Sequence, residues 1–142
     1  MPVRSAEAVW EGSNTEGKGK VKFGNPAYEG VYTRAGRFEE APGTNPEEIL
    51  GAAHAACFSM ALAGNLTRAN FPPERIHTTA QVSLEKLAEG FKITKITLNT
   101  EVKAPGLDEA TLMDLAGKAK SGCPVSVALA GVDEIVLNAK LV

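Results

Sequence analysis

Apolar and polar residues alternate with a period of two in the first part of the chain. Ala6, Ala8 and Trp10 alternate with Glu7, Val9 and Glu11, and Lys18, Lys20 and Lys22 with Gly19, Val21 and Phe23. A period of two is the mark of a strand. Gly and Asn clusters separate these runs, and a third short strand is expected over residues 31–34, with Arg37-Phe38 closing the region. After a loop over residues 39–43 the pattern changes. Asn45 reads as a helix N-cap with Pro46 at the first helical position. Glu48 then falls at the third position and completes a capping box, which leaves Glu47 without a structural task. From residue 49 to 63 only His54 and Ser59 are polar. A helix apolar on nearly every face is expected to be buried. Its residues are mostly small (Gly51, Ala52, Ala53, Ala55, Ala56, Ala61, Ala63), so a second helix, or its own copy in a dimer, can approach closely.

Phe71-Pro72-Pro73 ends that helix. Two long strands are expected over residues 76–86 and 91–103, joined by a turn at Ala88-Glu89-Gly90. Ala80, Val82, Leu84 and Ile96, Leu98, Thr100, Val102 mark one buried face. Pro105-Gly106 breaks the second strand, and Asp108 caps a helix whose Leu112, Leu115, Ala116 and Ala119 share a stripe. Gly122 stops it, Cys123-Pro124 opens a short helix ended by Gly131, and a last strand covers residues 132–141. The order βββ-α-ββ-αα-β is an α+β arrangement. No internal repeat or long linker interrupts it, so a single domain, 1–142, is expected.

Composition narrows the function classes. With 142 residues, 44% apolar and 23% charged, the chain is long enough to bury roughly 70% of its unfolded surface, and disorder is excluded. A net charge of −2, from 17 acidic and 15 basic residues, argues against a nucleic-acid partner. No apolar run is taken to reach the roughly 18 uncharged residues of a membrane span, so no membrane partner is expected. The start, Met1-Pro2-Val3-Arg4-Ser5-Ala6-Glu7, lacks a basic-then-apolar signal, which points to a cytoplasmic location. Two cysteines without a CxxC spacing do not staple a scaffold. In a reducing compartment any pairing between them is transient and catalytic rather than structural.

Several candidate motifs fall on their context. Residues 12–18 match the start of a phosphate-binding loop, but Gly19 follows where Ser or Thr is needed and a strand follows where a helix is needed. His54 and Cys57 are the only closely spaced members of a zinc set, which wants short-spaced pairs. Cys57, mid-helix among alanines, reads first as a small buried hydrophobe. Cys123 stands at a helix N-terminus, where free N–H groups and the helix dipole favour a thiolate. His54, one turn before Cys57, is either a base for it or a bland histidine, buried and hydrogen-bonded or at an interface. Arg37 and the uncommitted Glu47 complete the polar set, and each alone is unremarkable.

Taken together, Gly43-Thr44-Asn45-Pro46-Glu47-Glu48-Ile49-Leu50-Gly51-Ala52-Ala53-His54-Ala55-Ala56-Cys57-Phe58-Ser59-Met60-Ala61-Leu62 resembles the signature of the OsmC family of osmotically inducible peroxidases. Lys118-Ala119-Lys120-Ser121-Gly122-Cys123-Pro124-Val125-Ser126 is similar to that family's second cysteine motif, and residues 78–86 and 90–96 to its intervening hairpin. The resemblance runs end to end, and is closer to OsmC proper than to the organic hydroperoxide resistance group, which tends to carry Tyr where His54 stands. It implies an α+β fold with a long central helix packed against antiparallel sheets in an intertwined homodimer. It further implies a thiol peroxidase of organic hydroperoxides, serving in oxidative and osmotic stress, with Cys57 peroxidatic and Cys123 resolving. Arg37 would be the active-site arginine, with Arg34 its nearby competitor, and Glu47 its partner. No cofactor and no metal is implied, and the reductant would be a dithiol, either a small molecule or a lipoyl-type protein. Three other readings stay open here: a ligand-binding module with inert cysteines, a thiol–disulfide oxidoreductase of proteins, and zinc storage through His54 and Cys57.

Overall fold

Residues 2–25 and 28–142 are described by the computed structural model, and the chain divides into two units, Met1–Ile49 and Leu50–Val142. The first unit is an antiparallel sheet of β1 (Ala6–Glu11), β2 (Lys18–Phe23) and β3 (Glu29–Tyr32), in that order. The lysines of β2 face outward, and Gly19 and Val21 face the buried side. The Tyr32 ring, opposite Gly19 in the register, lies where a Cβ at Gly19 would stand. It also packs against Trp10 with ring centroids 5.5 Å apart. Glycine at this position makes room for an aromatic pair.

The third strand ends at Tyr32, where the sequence suggested extension to residue 34. Thr33 turns the chain: its hydroxyl accepts from the Gly36 N–H at 3.0 Å and caps a short helix, α1 (Arg34–Phe38). Five residues are too few to display a helical period, so pattern reading missed α1. Thr44 then returns to the sheet, its N–H donating to Val31 O at 2.9 Å. The long helix α2 (Pro46–Arg68) starts as its cap predicts, with the Glu48 N–H donating to Asn45 Oδ1 at 2.8 Å. The reciprocal half of the box goes elsewhere, since the Glu48 carboxylate accepts from the Thr44 hydroxyl at 3.1 Å.

In the second unit, β4 (Arg75–Leu87) and β5 (Gly90–Lys103) form an antiparallel hairpin with Gly90 at φ +129° after the turn. Then come α3 (Glu109–Gly122), α4 (Pro124–Ala128), which stops short of Gly131, and β6 (Glu134–Leu141). One pairing departs from the antiparallel expectation: β6 runs parallel to β5. The two helices between these strands form the crossover that parallel neighbours require. From α2, the side chains of His54, Phe58, Leu62 and Leu66 are fully buried, four residues apart on one stripe. Phe58, Leu62 and Leu66 join Ile96, Leu98 and Val102 of β5 and Leu112, Ala116 and Ala119 of α3 in one cluster. Burying each large apolar side chain contributes about 1.5–3 kcal/mol. Ser59 is accommodated because its hydroxyl donates to Thr78 Oγ1 at 2.8 Å, itself 2.8 Å from Thr100 Oγ1 across the strand pair.

Two expectations are corrected at α2. It is not buried on nearly every face: Ala52, Ala53 and Ala56 are exposed, and Met60 is 77% exposed. The expected absence of a span-length apolar run also fails. No Asp, Glu, Lys or Arg occurs between residues 49 and 67, and α2 is long and apolar enough to cross a bilayer by length and composition. Its polar side chains bond within the unit, through Ser59 and through Asn65, whose amide donates to Leu115 O at 3.1 Å.

Candidate active site: a cysteine pair and an arginine–glutamate pair

Helix α2 carries Cys57. Cys123 ends α3, its N–H donating to Ala119 O at 2.9 Å, and is also the N-cap residue of α4 with Pro124 just behind it. Those two roles hold the Cys123 backbone on both sides. Although 66 positions apart in the chain, the two Sγ atoms are 2.7 Å apart, and both cysteines are free. A disulfide needs about 2.05 Å, so bond formation asks only a sub-ångström approach. Exposure differs between the two. Cys57 is partly exposed, whereas Cys123 is 0% exposed. A small molecule arriving from solvent meets Cys57.

Two sulfurs this close do not both ionise readily, because like charges in contact push one ionisation upward. Burial pushes the Cys57 thiol up, the hydrogen bond with Cys123 pushes it further, and only the Val125 N–H works against them. Burial would raise Cys123 too. There, hydrogen bonding from Cys57, from the Ser126 N–H and hydroxyl and from the Val125 N–H outweighs burial and leaves the thiol lowered. Within this unit the negative charge therefore favours Cys123, as expected for a sulfur at a helix start. Its surroundings in this unit do not favour an anion at Cys57.

His54 is fully buried, with Nε2 2.7 Å from Ser126 Oγ. Its Nδ1 has no partner among the described residues. Burial lowers its pKa, which keeps the ring neutral. This is the buried, hydrogen-bonded histidine of the sequence readings. An unpaired buried polar group costs about 1–3 kcal/mol, so the fold retains this ring at some expense. Sequence reading missed Ser126. Its signal is position, the third residue of a helix opened by Cys123, where a side chain faces the N-cap. Among the described residues no three His, Cys, Asp or Glu side chains converge as a metal site would need.

The first unit holds the other pair. Arg37 grips Glu47 through two nitrogens: Nη2 donates to Oε1 at 2.7 Å, and Nε to Oε1 at 3.1 Å and Oε2 at 3.2 Å. Glu47 is 8% exposed. Such a forked grip fixes the guanidinium plane. Arg37, rather than Arg34, holds Glu47, and both guanidiniums lie 5.4 Å from the Phe38 ring centroid. Arg37 borders a cavity of about 490 Å³ lined also by Trp10, Tyr32, Arg34, Phe38 and Pro46.

Known proteins resemble this chain in sequence and in backbone. The profile of the family described as OsmC-like protein matches residues 38–138. Peroxiredoxin OsmC of Escherichia coli (strain K12) is 49% identical over 139 residues, covering 97% of this chain and 96% of that protein. Organic hydroperoxide resistance protein OhrA of Bacillus subtilis (strain 168) is 36% identical over 107 residues, covering 74% and 72%. The crystal structure of an organic hydroperoxide resistance protein OsmC from Legionella pneumophila matches with a TM-score of 0.78 at 26% identity, over 99% of both chains. Shared along nearly its whole length in sequence and backbone alike, these features make the chain a member of the OsmC family.

Proposed function

We propose that the chain is a thiol peroxidase that reduces organic hydroperoxides, and hydrogen peroxide less well, through Cys57 and Cys123. The observation that carries this reading is the pair itself: an accessible sulfur 2.7 Å from a wholly buried one. Electrostatics within the second unit favours an anion at Cys123, but accessibility decides which sulfur meets the substrate, and that is Cys57. In the proposed cycle the Cys57 thiolate attacks the outer peroxide oxygen. The O–O bond breaks, the alkoxide takes up a proton and leaves as alcohol, and Cys57 becomes a sulfenic acid. Cys123 then displaces the hydroxyl group as water and forms the Cys57–Cys123 disulfide. A dithiol, small or lipoyl-type, reduces the disulfide by exchange.

The attacking charge at Cys57 needs a cation. An ordinary cysteine near pKa 8.5 is only about 3% ionised at pH 7. One guanidinium at ~4 Å contributes on the order of 4 kcal/mol at an effective dielectric near 20, or nearly three decades at ~1.36 kcal/mol per decade. We assign this task to Arg37, with Glu47 orienting it. The aromatic cavity beside Arg37 has a size suited to an alkyl tail. The same reading has the chain act as one OsmC-like domain in a homodimer, in the cytoplasm, in defence against oxidative and osmotic stress.

Mass spectrometry after one equivalent of cumene hydroperoxide tests the cycle. The expected result is a loss of two hydrogens mapping to Cys57 and Cys123 within one chain, with Cys57→Ser inactive. Hydroperoxide consumption by Cys57→Ser at the parental rate would sink it.

A further inference from the structure

We propose that His54 and Ser126 are positioning residues that hold Cys123 as the attacking sulfur of the disulfide-forming step, an inference that rests on the peroxidase reading above. The cycle leaves His54 without a task, yet the ring is wholly buried one turn before Cys57 and, among the described residues, makes a single hydrogen bond, between Nε2 and Ser126 Oγ at 2.7 Å. Its Nδ1 meets no partner among the described residues. That asymmetry selects a tautomer. A hydrogen on Nδ1 would be a buried N–H without an acceptor. A hydrogen on Nε2 is donated to Ser126 Oγ and leaves only a bare lone pair at Nδ1. Orphaned buried donors are rarer than under-used acceptors, so Nε2 carries the hydrogen.

Direction follows from that choice. Ser126 Oγ accepts from His54, so its own hydrogen is available to a second acceptor. Ser126 is the third residue of α4, whose N-cap is Cys123, and a side chain at that position faces the N-cap. Its hydroxyl is among the groups that hold the Cys123 thiol low. His54 Nε2 thus meets Ser126 Oγ at 2.7 Å, Ser126 lies on the first turn of the helix that Cys123 caps, and Cys57 Sγ is 2.7 Å from Cys123 Sγ. This arrangement steadies negative charge on Cys123 at the moment Cys57 is a sulfenic acid.

In the step itself, the Cys123 thiolate attacks the Cys57 sulfur. The S–S bond forms as the S–O bond breaks, and hydroxide departs and takes a proton from solvent to become water. Cys123 sulfur is oxidised to the disulfide level and Cys57 sulfur is reduced to it. His54 and Ser126 neither gain nor lose a proton overall.

The test separates the two chemical steps in a single turnover of reduced protein with one equivalent of cumene hydroperoxide. Rapid quenching and alkylation report hydroperoxide loss and disulfide appearance separately. Ser126→Ala and His54→Leu are expected to keep hydroperoxide loss within about twofold and to slow disulfide formation about tenfold, the worth of one good hydrogen bond. At excess hydroperoxide they should accumulate Cys57 sulfinic acid. His54→Gln, whose amide nitrogen reaches the place of Nε2, should restore disulfide formation to within about threefold, a rescue that a space-filling role would not predict. Should His54→Leu fail to fold, Ser126→Ala, which removes one oxygen atom, carries the test. Disulfide formation at the parental rate in Ser126→Ala would overturn the proposal while leaving the peroxidase reading intact. A parent protein that consumes no hydroperoxide would overturn that reading and this proposal with it.

Discussion

A neutral, buried imidazole leaves a pH signature. Burial lowers the His54 pKa below its ordinary 6.5, so below that value the unfolded chain binds a proton that the folded one refuses. Stability then falls as pH drops from 6.5 toward the lowered folded value, and does not change through this group above it. The melting temperature should fall between pH 7.5 and 5.5 in the parent, and fall less in His54→Gln; equal slopes would show that His54 is not held neutral. Glu47 makes a second case at this scale. Its carboxylate grips Arg37 at 2.7 Å while itself 8% exposed, so Glu47→Gln frees the guanidinium to wander. Loss of one charged, forked contact should lower kcat/KM for cumene hydroperoxide by about tenfold or more, while Arg34→Ala stays within about threefold. The reverse ranking would give the role to Arg34.

At the scale of elements, α2 illustrates how a helix is set against a sheet. Leu62 is 0% exposed in the cluster shared with β5 and α3, so Leu62→Ala should cost about 2–5 kcal/mol in urea unfolding. A value under about 1 kcal/mol would mean the site collapses around the gap. Gly51 decides how close α2 comes to β4. A Cβ there would stand 3.3 Å from Val82 Cγ2 and 3.5 Å from the Ala80 Cβ. Alanine is a tight fit whose contact offsets its helix preference of about 1 kcal/mol over glycine. Any larger side chain forces the helix off the strand, so Gly51→Leu should unfold at clearly lower urea than Gly51→Ala.

Across the whole molecule, the exposed side of α2 needs an explanation. Ala52, Ala53 and Ala56 are exposed and Met60 is 77% exposed, although the helix is apolar enough to be wholly buried. Small residues on that side permit close helix approach, and the proposed homodimer supplies the second helix. Sedimentation of the parent should give about twice the chain mass of 14.9 kDa, and Met60→Glu should shift it toward monomer, because a charge in an apolar contact is costly. A parent that sediments as a monomer at micromolar concentration would remove the dimer from the reading.

Local chemistry made much of this legible in the chain itself. The period-two runs of β1 and β2, the Asn45-Pro46 start of α2 and the Asp108 cap of α3 are written in neighbouring residues, where pleat, ring and hydrogen-bond geometry act over three or four positions. The motifs around Cys57 and Cys123 pointed to the family, and the roles of Arg37 and Glu47 came only with that resemblance. Tertiary structure decided the rest. No periodicity separates α1 from strand in five residues, and nothing local to β6 says that it runs parallel to β5, since direction is set by the crossover through α3 and α4. Above all, the 2.7 Å between two sulfurs 66 positions apart, and the 2.7 Å between His54 Nε2 and Ser126 Oγ, exist only because α2 and the α3–α4 junction meet. Contacts between distant segments depend on where the backbone goes, and that is settled by packing of the whole.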